Sequence, residues 1–384
     1  MTREQGEEKY QTEGFKDIAL IYGTAEESFR KTSALINRIR HQEEGGTPFR
    51  TVRETVEDEG SLLQEYLEQK ASSIFQANGF TPAGCPQSAI TEPLTPNALT
   101  LSEDDLEEIR IDYSILKDYQ AKILKNPVSY EDTKQSVNIS IDDVGTKKQK
   151  ENRDKTSNDP LSKKKRVYVQ NSVIHVEKGG KSYILNGYGM LVVLRILLAF
   201  LLHNHLLSNR LVFFVDGNSL YSMVVELFSW HKSLSVILDW YHLKKKCQGL
   251  LSMAMKGKEI RNTVLDKLIP LLWHGLVDQA VTHLESLPES EIKNEDARSE
   301  LIHYLTKNRP MIPVYAIRKE LGLRNSSNRG EKANDLIVAN RQKHHGMSWS
   351  QSGSVSLASV SALKQNQEYK QWFREREIEF KLAS

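Results

Sequence analysis

Three short apolar runs along the chain each end in an aspartate. Residues 137–143 read VNISIDD, residues 211–216 LVFFVD and residues 234–239 LSVILD. β-branched and aromatic runs of this length, bounded by turn-forming residues, predict buried strands. Residues 166–177 (RVYVQNSVIHVE) and 181–186 (KSYILN) predict a hairpin around Gly179-Gly180. Residues 190–202 (MLVVLRILLAFLL) are too short to span a bilayer comfortably and carry Arg195 in the middle, so they predict a core helix. A further helix is predicted over residues 219–230. The order is β-β-β-α-β-α-β. Three locally joined strands followed by alternating helix and strand predict a mixed sheet with helices on its faces.

Outside this block the pattern is helical or irregular. Residues 25–42 predict a helix, broken by Gly45-Gly46-Thr47-Pro48, and residues 49–59 a second, shorter one with Thr47 at its N-cap and Pro48 at its first position. Two helices around a Gly-containing turn allow a helix-turn-helix, in which Arg50 and Arg53 meet DNA, or a helical hairpin used for dimerisation. Residues 78–101, rich in Pro, Thr, Ser and Asn, predict a linker, and residues 103–125 a helix with an acidic start. Residues 243–323 read as helical throughout, apart from a short strand signal at 312–315. The turn cluster at 325–330 leads into a helix over 331–343. These shifts divide the chain into an N-terminal helical region used for DNA binding or dimerisation (1–77), a linker and helix (78–127), a sheet-bearing core (128–242), a helical insertion (243–324) and a C-terminal region (325–384).

Composition adds little beyond limits. A net charge of +2 does not mark the whole chain for nucleic acid, so the local distribution carries the signal. It is concentrated in the loop after residue 143, where Lys147, Lys148, Lys163, Lys164 and Lys165 stand among few acids; this loop is suited to a phosphate backbone or is simply a solvated linker. The two cysteines, Cys85 and Cys247, offer neither a disulfide framework nor zinc spacing and fit a reducing, cytoplasmic setting. The charged start MTREQGEEKY is no secretory signal, and no membrane association is expected.

Carboxylates at strand ends are rigidly placed, which is how hard oxygen ligands for Mg²⁺ or Mn²⁺ are gathered. In the strand order above, the first and fourth strands lie side by side in a ribonuclease-H-like arrangement, so Asp142 and Asp216 can share one ion. Asp143 points to the opposite face from Asp142 by strand alternation, so only one of the two can face an ion, and alternation alone does not say which.

The runs VNISIDDVGTKKQK, RLVFFVDGNSLYSMV, LSVILDWYHLKKKC and SSNRGEKANDLIVANRQKHHGMSWS resemble bacterial insertion-sequence transposases of the DDE class, in the ISLre-like and ISKra-like groups, from about residue 128 to 362. That resemblance implies a ribonuclease-H-like catalytic domain with an all-helical insertion, and Asp142, Asp216 and Glu331 as the catalytic, metal-holding acids. It implies Mg²⁺ (or Mn²⁺) as cofactor. Partners would be transposon terminal inverted repeats and target DNA, bound by a homo-oligomer in the nucleoid. Two rivals stand beside it: a nuclease of the same fold without strand transfer, and a non-catalytic DNA-binding protein descended from a transposase.

The helix after the insertion would carry Glu331, Asn334, Val338 and Arg341 on one face. Asn334 is then placed to orient Glu331 or touch a phosphate, and Arg341 and Lys343 to bind DNA. Asp239, in DWYH, is an alternative to Asp216 as the second acid, though the Gly after Asp216 and that strand's place in the order favour Asp216; otherwise Asp239 with His242 forms an accessory or DNA-contacting pair, or merely caps the following helix. His344 and His345 suit DNA contact or plain exposure. Trp349 lies in a polar run near the proposed site.

Overall fold

In a computed structural model the described residues are 11–25, 28–42, 46–88, 98–99, 130–131, 136–149, 167–343 and 347–382. The helix expected over 103–125, Lys163, Lys164, Lys165, His344 and His345 lie outside them.

The N-terminal part holds α1 (Glu13–Gly23), α2 (Phe29–Ile39) and α3 (Phe49–Ala77). The helix expected over residues 25–42 is α2, shorter at both ends, and α1 precedes it. α1 ends before Thr24, whose hydroxyl returns to Leu20 O at 2.7 Å, and Ser28 starts α2 by accepting from Lys31 N at 3.2 Å. α3 runs far beyond residue 59, because Leu63, Leu67, Ala71 and Phe75 continue its apolar stripe into the core. Its N-cap is Pro48, with no side-chain capping bond. On α3, exposed Arg50 pairs with Glu54, and half-buried Arg53 lies near Glu54 and Glu57.

The sheet consists of β1 (Val137–Lys147), β2 (Tyr168–Lys178), β3 (Lys181–Gly187), then, after α4 (Met190–His203), β4 (Leu211–Val215), α5 (Asn218–Phe228) and β5 (Leu234–Leu238). Its spatial order is β3-β2-β1-β4-β5, with β1 parallel to β4, β4 parallel to β5, and the other two pairs antiparallel. The chain is thus a mixed α/β protein whose sheet order is compatible with a ribonuclease-H-like arrangement.

Alternation sets the two faces. Ile139, Ile141, Ile174, Val176, Tyr183 and Leu185 pack with α4, of which ten residues are buried. No helix among the described residues is long and apolar enough to cross a membrane.

The second face carries Val144, Val173 and Ile184. The chain reaches it through α6 (Trp240–Ala254), α7 (Lys258–Trp273), α8 (Val277–Glu285), α9 (Glu295–Asn308) and α10 (Tyr315–Glu320). The strand signal at 312–315 produces none: Tyr315 opens α10, fully buried, and donates its hydroxyl to Leu238 O at 2.7 Å. α11 (Asn328–Asn334) then continues through a π-helical turn, Asp335–Ala339. α12 (Gln351–Gln365) and α13 (Tyr369–Glu375) finish the ordered chain. Ala333, Ile337, Val338, Ala358 and Ala362 from α11, the π-turn and α12 close this second layer.

Candidate active site

Strand register brings the first two acids together. Ser140 of β1 is paired with Phe214 of β4. Continuing that register by two residues sets Asp142 beside Asp216, both on the α11 face of the sheet. β1 does not end at its carboxylates, as its sequence suggested. It runs on to Lys147, held by β2 and by Trp349 N donating to Lys147 O at 2.9 Å. Asp142 therefore sits within a strand at the point where β4 stops, and Asp216 follows the last residue of β4.

Asp142 is half-buried, and Asn334 Nδ2 donates to its Oδ2. Its carboxyl is pushed up to about 6, first by burial and then by the charge of Asp216, against the hydrogen bond from Asn334 and the nearby His242. Asp143 turns the other way and accepts from Ser172 Oγ at 2.6 Å. It too is raised, by burial with Asp216 contributing, so Asp216 acts on both neighbours.

The third acid arrives on α11. Gly330 makes that approach possible: a Cβ there would stand 2.9 Å from Ser140 Cβ, closer than side chains tolerate. Glu331 Oε1 lies 3.6 Å from His242 Nε2, and Glu331 remains 43% exposed. His242 in turn has its Nδ1 4.0 Å from Asp239 Oδ1. Asp142, Asp216, Asn334, His242 and Glu331 thus lie where β4 stops beside the middle of β1, next to the start of α6 and to α11. As placed, no three His, Cys, Asp or Glu side chains among the described residues are close enough to enclose an ion.

The remaining expectations divide. Asp239 is buried and caps α6, accepting from His242 N at 2.8 Å and from Ser327 Oγ at 2.9 Å, with Ser327 N also donating to it. It ties the start of α6 to the turn before α11, which fixes where His242 and Glu331 meet. Ser327 was not singled out from the sequence; its only signal was membership of a turn cluster.

Arg341 is not at a DNA-facing surface. It is 2% exposed, donates to Gly23 O at 3.2 Å, and lies 4.8 Å from the Phe29 ring centroid and 5.3 Å from that of Trp349. The π-turn supplies the reason: one extra residue per turn rotates everything after Val338 away from the face that carries Glu331 and Asn334. Lys343 beyond it is exposed. Trp349 is likewise core, 5% exposed, with Nε1 donating to Gln342 O at 3.1 Å. Lys147 is exposed and Lys148 half-buried on the same strand end, next to where the basic loop begins.

No protein-family model matches the chain. No curated protein sequence matches it. Among solved structures, the Drosophila P element transposase strand transfer complex is similar with a TM-score of 0.27 and 10% identity, over 100% of this chain and 85% of that chain. A likeness that distant identifies neither fold nor activity.

Proposed function

We propose that this protein is a DNA transposase of the DDE class, with a ribonuclease-H-like core, that cuts and joins DNA strands with the help of Mg²⁺ or Mn²⁺. The observation that carries the reading is that Asp142 and Asp216, remote in sequence, adjoin where β4 stops, and that α11 brings Asn334 onto Asp142 and Glu331 within 3.6 Å of the neighbouring His242. Three carboxylates from two adjacent strands and a helix are a hard-oxygen donor set of the kind divalent ions take.

The local electrostatics fit a missing positive charge. The Asp142 carboxyl is pushed up to about 6, first by burial and then by the charge of Asp216 beside it. Asn334, whose Nδ2 donates to Asp142, keeps its Oδ1 buried without a hydrogen-bond partner among the described residues. Asp142, Asp216 and Glu331 would hold the metal, whose chemistry in such a site is to activate an attacking oxygen and offset charge on the leaving one. Asn334 orients the Asp142 carboxylate. His242 holds Glu331 in the resting arrangement, and Asp239 fixes His242 through the α6 cap. Loading the site requires Glu331 to leave His242 and turn toward Asp142. DNA would approach past Lys147 and Lys148 and the basic loop that follows them, with the terminal inverted repeats and target held by an oligomer.

Strand cleavage of end-containing DNA with Mg²⁺ tests the reading. Asp142→Ala, Asp216→Ala and Glu331→Ala should each abolish it, and unchanged cleavage in any of them rejects that residue's role. Joined product on a supplied target plasmid separates a transposase from a nuclease. One observation favours a second reading, a DNA-binding protein without catalysis: no three His, Cys, Asp or Glu side chains among the described residues are close enough for an ion. Such a protein would show no Mg²⁺-dependent thermal shift.

A further inference from the structure

The β2–β3 hairpin tip lies away from the carboxylates. Val173 is the partner of Asp142, and Lys178 is five residues further along β2, roughly 16 Å at the rise of a strand. Beside that tip opens a cleft of about 1080 Å³. Its basic lining is drawn from four separate stretches of chain: Lys70 on α3, Lys178 and Lys181 on the hairpin, His203 and His205 at the end of α4, and Lys381 in the C-terminal segment. No carboxylate side chain lines it among the described residues.

Lys70 is anchored, donating to Tyr66 Oη at 3.1 Å and Ile378 O at 2.9 Å. The ammonium groups of Lys178, Lys181 and Lys381 bond to no described residue. Lys178 and Lys181 face each other directly across the hairpin, an arrangement of like charges that costs stability. Gly179 and Gly180, at φ 58° and 83°, make the tight turn that sets the pair there. His203 is held below its ordinary range by burial first, with Lys70, Lys381 and His205 adding to it, so the charges of Lys70 and Lys381 reach the same side chain.

Offsetting the negative ends of α3 and α4 does not account for the cluster. Those ends carry their own caps: Asn78 Nδ2 donates to Ile74 O and Asn204 Nδ2 to Phe200 O, both at 2.8 Å. The three unengaged lysines belong to the hairpin and the tail rather than to the helices.

We infer that this cleft binds the phosphates of a nucleic-acid backbone, as a second DNA contact separate from the carboxylate cluster. The lining holds lysines and no arginine. Lysines act as mobile point charges without the planar fork that fixes a single phosphate or carboxylate. Scattered point charges along an open cleft suit a polyanion read without regard to base sequence.

The test uses the full chain in EDTA with a fluorescein-labelled duplex of about 30 base pairs and arbitrary sequence, followed by anisotropy across a NaCl series. Lys178→Ala/Lys181→Ala/Lys381→Ala should weaken binding about tenfold or more near 0.1 M salt. It should also reduce the slope of log K against log salt by roughly 2–3, the release expected for three phosphate contacts. A control set of exposed lysines on the helical part, Lys256→Ala/Lys258→Ala/Lys293→Ala, should leave the slope within about half a unit. Unchanged affinity and slope in the cleft variant, an equal loss in the control, or binding that shifts only for phosphatidylglycerol vesicles would each overturn the inference. Should the triple variant melt early, Lys181→Ala and Lys381→Ala singly carry the test, each lowering the slope by about one. With no divalent metal and no cleavage read, the outcome does not depend on the catalytic reading.

Discussion

Replacing Asp142 with Asn should make the metal-free protein more stable at neutral pH while destroying its chemistry. The Asp142 carboxyl rises from 3.8 to about 6 in the folded state, because burial and Asp216 both disfavour its charge. Between those values the folded protein binds more protons than the unfolded chain, so stability is lost as pH rises through about 6. The full shift of about two units is worth about 3 kcal/mol, and the partial exposure of Asp142 trims this to roughly 1–2 kcal/mol at pH 8. Asn keeps an oxygen to accept from Asn334 Nδ2, so the hydrogen bond survives. At about 2 °C per kcal/mol for a chain of this size, Asp142→Asn should melt a few degrees above the parent at pH 8 in EDTA, and no higher at pH 4. Mg²⁺ should raise the melting temperature of the parent and not of the variant. Differential scanning fluorimetry at the two pH values, with and without metal, reads all of this. A variant less stable than the parent at pH 8, or equally stabilised at both pH values, would refute the electrostatic account of the site.

Three further outcomes follow from particular contacts. Gly330→Ala should displace α11 from β1 and lower strand cleavage by about a hundredfold, the cost of misplacing a reacting group by about 1 Å, and Ser140→Gly in the same chain should restore it by removing the opposing Cβ; equal damage in the single and double variants would show that the close approach does not matter. Arg341→Ala should cost about 2–4 kcal/mol in urea denaturation, through a lost cation–aromatic stack and a stranded Gly23 carbonyl, with no change in the salt dependence of DNA binding; a reduced salt slope would return Arg341 to the DNA surface. His175, lowered from 6.5 to about 4 chiefly by burial, contributes stability present above pH 6.5 and lost as pH falls through 4, up to about 3 kcal/mol. His175→Gln should flatten the acid limb of the urea midpoint against pH, and an unchanged limb would rule His175 out as its source.

The strands were legible because they rest on short-range rules, and the placing of Asp142 beside Asp216 because the element order matches a ribonuclease-H-like arrangement. Apolar runs gave the strands, and their order placed the first and fourth side by side. The extension of β1 was hidden because residues 144–147 read as the start of a polar loop, and it depends on Trp349 docking from some two hundred residues away. The place of Arg341 was lost for a different reason. A regular helical period puts it with Glu331 and Asn334, and nothing in DLIVA announces the π-turn that moves it inward. Asp239 shows both cases at once. Its capping of α6 is local and was foreseeable, whereas its grip on Ser327 joins residues 88 positions apart. The basic cleft was invisible in sequence, since Lys70, Lys178, Lys181 and Lys381 form no run and meet only in the fold.

Crystals of the full chain soaked in Mn²⁺ and recorded at the manganese edge bear most directly on the proposed site. An anomalous peak bounded by the carboxylates of Asp142 and Asp216, with Glu331 swung off His242 to join them, is the result expected. Full-occupancy manganese elsewhere, with the three acids unengaged and Glu331 still against His242, would contradict it.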